Sequence, residues 1–302
     1  MKYISDRKNV NNQYLTNVFG VAFDNGFSLP TVQVNFKNEN SYDGLDLHGF
    51  DACVVMVCGN ENHESVDHYL EDPTVKMVIK NYPRMINVSN EPEISQEYAT
   101  KINQKGHRKF IIENEKENIF TIPLGTCNNF NPIPSNRDRL KGGFIGQWTQ
   151  IRQDKFENIR NNFPNGDCPY DFAFYNGFGP FVQIENLQKS DNSGSLRTDV
   201  YSNFMSNSEI AFIPNGQSPE TYRLFEAASA GCIVVHDVLP DVWYYESLPH
   251  VPLESENFIP VKNYIEKYSE ELKMLTSIWW QSTASPVSVG KKIAAKAKEI
   301  GI

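Results

Sequence analysis

Cysteine is scarce in this sequence of 302 residues, and Cys53, Cys58, Cys127, Cys168 and Cys232 are scattered, odd in number and without C-x-x-C spacing. That set does not make a disulfide scaffold or a zinc site and fits a reduced interior. Long apolar runs are missing as well, since none approaches the ~20 residues that cross a bilayer. The polar stretch Met1–Asn12 lacks the apolar core of a signal peptide. Basic residues are in deficit, with 28 Lys and Arg against 37 Asp and Glu and a formal net charge of -9. Phosphate backbones and anionic lipids attract basic patches, so this balance argues against a general nucleic-acid or membrane-surface binder. His63-Glu64-x-x-x-His68 misses the H-E-x-x-H spacing of a zinc protease. No D-x-D motif, internal repeat or long low-complexity segment occurs. These absences leave a globular protein, expected in the cytoplasm, and its length suggests about two domains.

What is present is an alternation of short apolar strands with helical segments. Thr31–Phe36 alternates, Ala52–Cys58 is a continuous apolar run, and Val75–Ile79, Phe110–Ile112 and Ile119–Leu124 follow. A continuous run suits a strand buried on both faces, as in a parallel sheet. His63–Glu71 and Ile94–Gln104 read as crossover helices between these strands. Asn128–Leu140, rich in Asn, Pro and Arg, is the linker candidate. It divides the chain into residues 1–138 and 139–302.

In the second part Gly143–Gly146, Asp171–Tyr175 and Glu209–Ile213 read as strands. A helix with Ile151, Phe156, Ile159 and Phe163 inward follows the first, and Leu196, Val200 and Phe204 mark another. Near the end, Ile265, Tyr268, Leu272, Leu275 and Trp279 share one helical face, and Pro286 interrupts the run before a basic last helix. Strands alternating with helices imply a parallel sheet in each half. The expected architecture is two α/β halves facing across a cleft.

One segment carries more information, Glu209–Asp237 (EIAFIPNGQSPETYRLFEAASAGCIVVHD). It reads as strand, tight loop, helix and strand, with Ser218 as N-cap, Pro219 at the first helical position and Gly231 closing the helix. The free N–H groups of such a helix, set at the carboxyl end of a parallel strand, form an anion site. Arg223 and Glu226 fall on one helical face. A guanidinium there can grip phosphate oxygens bidentately, and a carboxylate can accept from the hydroxyls of a ribose. A plain Arg–Glu surface pair on an amphipathic helix is the alternative these two residues allow.

The pattern Ser218-Pro219-x-x-x-Arg223-Leu224-x-Glu226-Ala227-x-x-Ala230-Gly231-Cys232-Ile233-x-Val235, preceded by Ile213-Pro214-x-Gly216, resembles the exostosin-type (GT47-type) glycosyltransferase signature. Tyr201, Met205 and Ser208 resemble the helix before it, and Asn257–Pro260 the stretch after it. Ile145-Gly146 with Arg152 resembles the element that opens the donor domain of that family. Val78–Tyr82 and Ile122–Gly125 are short matches to virus-encoded xylosyltransferase relatives.

The resemblance implies a GT-B fold: two Rossmann-like domains, 1–138 on the acceptor side and 139–302 holding the nucleotide-sugar, with C-terminal helices packing back. It implies that Arg223 contacts the donor diphosphate and Glu226 its ribose, among donor-binding positions Gly146, Arg152, Gly216, Ser218, Pro219 and Thr221. The implied reaction is inverting and metal-independent, from a UDP-sugar to a glycan or glycoprotein acceptor. UDP-xylose is the donor that the nearest-looking relatives suggest, with no permanently bound cofactor. The setting would be the cytoplasm, or that of a virus-infected host cell.

An inverting transfer needs a general base near the acceptor hydroxyl. The loop Gly59–Glu64, after the buried strand Ala52–Cys58, offers Glu61, His63 and Glu64. A GT-B-like scaffold without chemistry and a retaining GT-B transferase remain the alternative readings.

Overall fold

The structure is a computed structural model that describes residues 3–4, 11–35, 47, 49–59, 64–87, 110–112, 116–132, 142–147, 149–163, 167–175, 182–183, 198–215 and 218–302. The chain is mixed α/β, with two parallel sheets as expected. The first sheet contains β1 (Tyr3–Ile4), β2 (Thr31–Asn35), β3 (Cys53–Cys58), β4 (Val75–Lys80) and β7 (Ile119–Thr121), in that order and all parallel. Every residue of β3 is buried, because it pairs on both sides and is covered on both faces. Helix α1 (Asn12–Asp24) covers one face, where Tyr14, Leu15, Val18, Phe19 and Ala22 meet Val54, Met56 and Ile79. The other face packs Val55, Val57 and Val78 against Val66 and Tyr69. The described part of the crossover expected over His63–Glu71 is a short 3-10 helix, Asp67–Glu71. Strand β6 (Phe110–Ile112) pairs antiparallel with β5 (Met85–Asn87) as a separate ribbon outside the parallel sheet. The crossover expected at Ile94–Gln104 and the 138/139 boundary lie outside the described residues.

The second sheet runs β10 (Val182–Gln183), β9 (Tyr170–Tyr175), β8 (Gly142–Gln147), β11 (Ile210–Ile213) and β12 (Ile233–His236), again parallel throughout. The chain builds outward from β8 in one direction and then returns to build from β11 in the other. Between β8 and β11 the strand order therefore reverses, and it is at such a switch point that open α/β sheets bind ligands. Helix α2 (Gln150–Asn161) follows β8, α3 (Thr198–Asn207) precedes β11, and α4 (Tyr222–Ser229) follows β11. Thr149 caps α2, its hydroxyl accepting from the Arg152 amide at 3.3 Å. In α2, Phe156 and Ile159 are buried as expected, whereas Ile151 is 52% exposed.

Helix α5 (Phe258–Trp279) buries Val261, Ile265, Leu272, Thr276 and Trp279. Leu275, expected inward, is exposed, because at 100° per residue Thr276 lies nearer the centre of the face set by Val261, Ile265 and Leu272, and it is Thr276 that is buried. Helix α6 (Pro286–Glu299), capped by Ser285 with Pro286 in its first turn, packs back on α1. There Val289, Ile293 and Ala297 join the core of the first half. Among the described residues no helix is long and apolar enough to cross a membrane.

Candidate active site

The loop around Gly125 brings the first half to the second. Asn11 Nδ2 donates to the Leu124 carbonyl at 3.0 Å, and Asn81 Nδ2 to the Pro123 carbonyl at 3.1 Å. Gly125 has φ +70°, and a Cβ there would lie 2.3 Å from the Tyr14 ring, so the turn requires glycine twice over. Beyond it, Asn131 donates its amide to Ser202 Oγ at 3.1 Å. Tyr82 and Leu124 of the first half share one buried cluster with Ile213, Leu224, Phe225 and Tyr244 of the second.

At the switch point, β8 ends in Phe144-Ile145-Gly146-Gln147. Glycines permit this strand: a Cβ on Gly143 would lie 1.8 Å from the Asp171 carbonyl oxygen, and one on Gly142 would lie 2.1 Å from that of Ile210. Two guanidiniums converge here. Arg223 Nε donates to the Ile145 carbonyl at 3.3 Å, and its Cζ lies 5.6 Å from the centre of the Phe144 ring. Arg152 Nη1 donates to the Gln147 carbonyl at 3.0 Å, with its Cζ 5.4 Å from the same ring. The ring face attracts both cations. A Cβ on Gly146 would lie 2.4 Å from Phe144 Cζ and 3.1 Å from Arg223 Cζ, so glycine leaves the room that Arg223 occupies.

The helix that bears Arg223 begins later than expected. Its N-cap is Thr221, with no side-chain cap bond, and Tyr222 is its first residue. Ser218 is therefore not the cap: its Oγ accepts from the Glu220 amide at 3.0 Å, closing a small turn, and buried Pro219 lies outside the helix. Ser218 can bond the amide two residues on at once, and that local bond competes with capping. The C-terminal end is as expected, with Gly231 at φ +75°.

Glu226 is also placed differently from a surface partner of Arg223. It is 3% exposed, and its Oε1 accepts from the Cys127 amide of the first half at 3.2 Å. Burial raises its pKa, opposed by the Cys127 bonds and by the Arg223 charge. The same neighbourhood holds the Cys127 thiol well above its ordinary pKa, chiefly through burial and then through the Glu226 charge.

Of the other expected positions, Glu61, His63 and Gly216 lie outside the described residues. Glu64 is half-buried between β3 and the 3-10 turn. Residues that went unremarked in the sequence complete the site. Asp237 Oδ2 accepts from the Asn215 amide at 2.8 Å, and its other oxygen pairs with buried Lys155 of α2. This fixes the loop leaving β11. Among the described residues no group of three or more His, Cys, Asp or Glu is placed to hold a metal ion.

No family model matches the sequence, and no curated protein matches it. Among solved structures, it is similar to the pneumococcal O-GlcNAc transferase GtfA in complex with UDP and GlcNAc, at 12% identity and a TM-score of 0.44 over 82% of this chain and 53% of that one. It is also similar to a UDP-N-acetylglucosamine 2-epimerase, at 12% identity and 0.39 over 98% of this chain and 79% of that one. A third is the glycosyltransferase SnogD from Streptomyces nogalater, at 10% and 0.39 over 81% and 66%. The chain spans about half the length of GtfA.

Proposed function

We propose that the chain is a glycosyltransferase of GT-B type that takes its sugar from a UDP-sugar. The observation that carries this is the convergence of Arg152 and Arg223 on the end of β8, where the strand order reverses and α4 begins. Two cations and the free N–H groups of a helix start suit a diphosphate leaving group, whose charge grows as the bond to the sugar breaks. In an inverting transfer the acceptor oxygen bonds to the anomeric carbon as the bond from that carbon to the diphosphate oxygen breaks. The hydroxyl proton passes to a base on the first half, and Glu61, His63 and Glu64 are the candidates. Arg152 and Arg223 hold the departing charge without a metal ion. A pentose, xylose, is the sugar favoured by the sequence resemblance, and a glycan or glycoprotein the acceptor. Calorimetry with UDP tests the reading: binding that Arg223→Ala weakens supports it, and no binding by the intact chain defeats it.

One observation favours a second reading. Glu226 Oε1 is engaged by Cys127 rather than open to a ribose, as in a scaffold that keeps the fold without the chemistry. UDP binding with no slow hydrolysis of any UDP-sugar would favour that reading. The anomeric configuration of a product would separate inverting from retaining transfer.

A further inference from the structure

Arg223 lies between two residues that a single turn of the chain holds. That turn follows β12 and carries three aromatics in a row, Trp243, Tyr244 and Tyr245. Backbone bonds stiffen it, from the Tyr245 amide to the Val242 carbonyl at 2.9 Å and from the Leu248 amide to the Tyr245 carbonyl at 3.1 Å. The two tyrosines reach the chain on either side of Arg223. Ahead of it, the Glu220 carboxyl group, 3% exposed, accepts on one oxygen from the Tyr244 hydroxyl at 2.7 Å and from the Tyr245 hydroxyl at 3.1 Å. Its other oxygen is buried with no hydrogen-bond partner among the described residues. Beyond Arg223, the Phe225 ring of α4 packs against Tyr244 and Tyr245, with centroids 6.4 and 6.0 Å apart. A buried acceptor is costly to leave unbonded, so the two hydroxyls fix Glu220 while their rings fix Phe225.

The first aromatic of the three faces the other way. Trp243 Nε1 donates to the carbonyl of Thr121, the last residue of β7, at 2.9 Å, and its ring stacks on Phe120 with centroids 5.8 Å apart. Lys292 Nζ of α6 lies 5.0 Å from the centre of the same ring. The Tyr244 carbonyl accepts from Trp279 Nε1 of α5 at 2.6 Å, which seats the turn in the second half. One stiff turn touches the first sheet with one ring and brackets Arg223 with the next two.

We infer that Trp243, Tyr244 and Tyr245 are positioning residues for the donor site, which carry the placement of the first sheet to the start of α4 and so aim Arg223 at the diphosphate. This role rests on the reading of Arg223 as the diphosphate ligand. None of the three needs to touch the donor. Trp243 registers where β7 stands, and the tyrosines pass that position on through Glu220 and Phe225.

The test uses the full chain with Trp243→Phe and, separately, with Tyr244→Phe and Tyr245→Phe together. These changes keep an aromatic ring and remove the hydrogen-bond donors. Calorimetry reads the dissociation constants of UDP and of uridine. Each variant should bind UDP about 5- to 20-fold more weakly. Uridine has no phosphate for Arg223 to hold, and its affinity should stay within about twofold of the parent. On an Arg223→Ala background the tyrosine changes should cost less than about twofold, since changes acting through one residue do not add. Unchanged UDP affinity in the folded variants, equal losses for UDP and uridine, or a full additional loss on the Arg223→Ala background would overturn the inference. Trp243 is half-buried, so Trp243→Phe decides alone if the tyrosine pair fails to fold. Should the parent chain bind no UDP, the functional reading falls, and the coupling is judged on urea unfolding of Trp243→Phe and Glu220→Ala, singly and together. A combined destabilisation smaller than the sum keeps it, and an additive one overturns it.

Discussion

The Cys127 amide donates to the Glu226 carboxylate at 3.2 Å, joining a loop of the first half to the middle of the helix that carries Arg223. Any change in how the halves sit is therefore felt at a residue only three places from the proposed phosphate ligand. Helix α4 is short, eight residues, and has little room to absorb a shift at one end without passing it to the other.

Arg223→Ala should weaken UDP binding by about 10- to 150-fold, the worth of a lost charge-assisted hydrogen bond of roughly 1.5–3 kcal/mol. Arg223 is half-buried, and its guanidinium lies against the Ile145 carbonyl and the Phe144 ring. The protein should stay folded. Unchanged affinity by calorimetry would remove Arg223 from the site.

Glu226→Gln should impair binding of UDP more than that of its 2′,3′-dideoxy analogue. A carboxylate offers two acceptor oxygens, whereas the amide has one. With Oε1 given to Cys127, the second oxygen is the one for a ribose hydroxyl. Equal losses for the two ligands, measured side by side, would confine Glu226 to holding the halves together.

Gly143→Ala and Gly146→Ala should separate stability from binding. At Gly143 the new methyl meets the fixed carbonyl of Asp171 in the neighbouring strand. Overpacking of that kind costs about 1–3 kcal/mol or more, and thermal melting should show it. At Gly146 the methyl meets side chains, Phe144 and then Arg223, which can move. Gly146→Ala should therefore melt closer to the parent yet bind UDP more weakly.

Glu220 gives the protein a pH dependence of unusual sign for a carboxylate. Burial raises its pKa from 4.5 to about 7 in the folded chain, against the lowering by Tyr244, Tyr245 and Lys80. The folded state then holds the proton more tightly than the unfolded one. Its contribution to stability is full below about pH 4.5 and is lost as pH rises through about 7, by at most about 3 kcal/mol. Urea unfolding of the parent minus that of Glu220→Gln should fall across this window and be level above it. A difference that rises with pH would reverse the assignment.

Much of the second half was legible because its strands are short apolar runs and its turns carry glycine. Strands β8, β9, β11 and β12 fall within a residue or two of where their apolar runs suggest. What the sequence concealed was tertiary competition. Ser218-Pro219 reads as a helix start, yet the side chain finds a nearer amide and the helix waits until Tyr222. Glu226 reads as an acid open to a ribose or paired with Arg223 on the surface, but the first half closes over it and Cys127 takes one of its oxygens. Thr121 and Trp243 lie 122 positions apart, and no local spacing signals that the indole will reach back to a carbonyl of the first sheet. Leu275 was misplaced for a different reason: Leu275 and the polar Thr276 straddle the edge of the face, and the apolar residue was chosen although the helical period favours its neighbour.

Helix α6 closes the core of α1 with residues 286–299, and a Cβ on Gly290 would lie 2.5 Å from the Val18 carbonyl oxygen. The first half is thus assembled from both extremes of the sequence. On a ribosome, where earlier segments ordinarily fold first, the side of α1 that carries the Val18 carbonyl and Val21 must wait uncovered until about 270 further residues have been made. For that one helix face, synthesis order and folding order are in conflict.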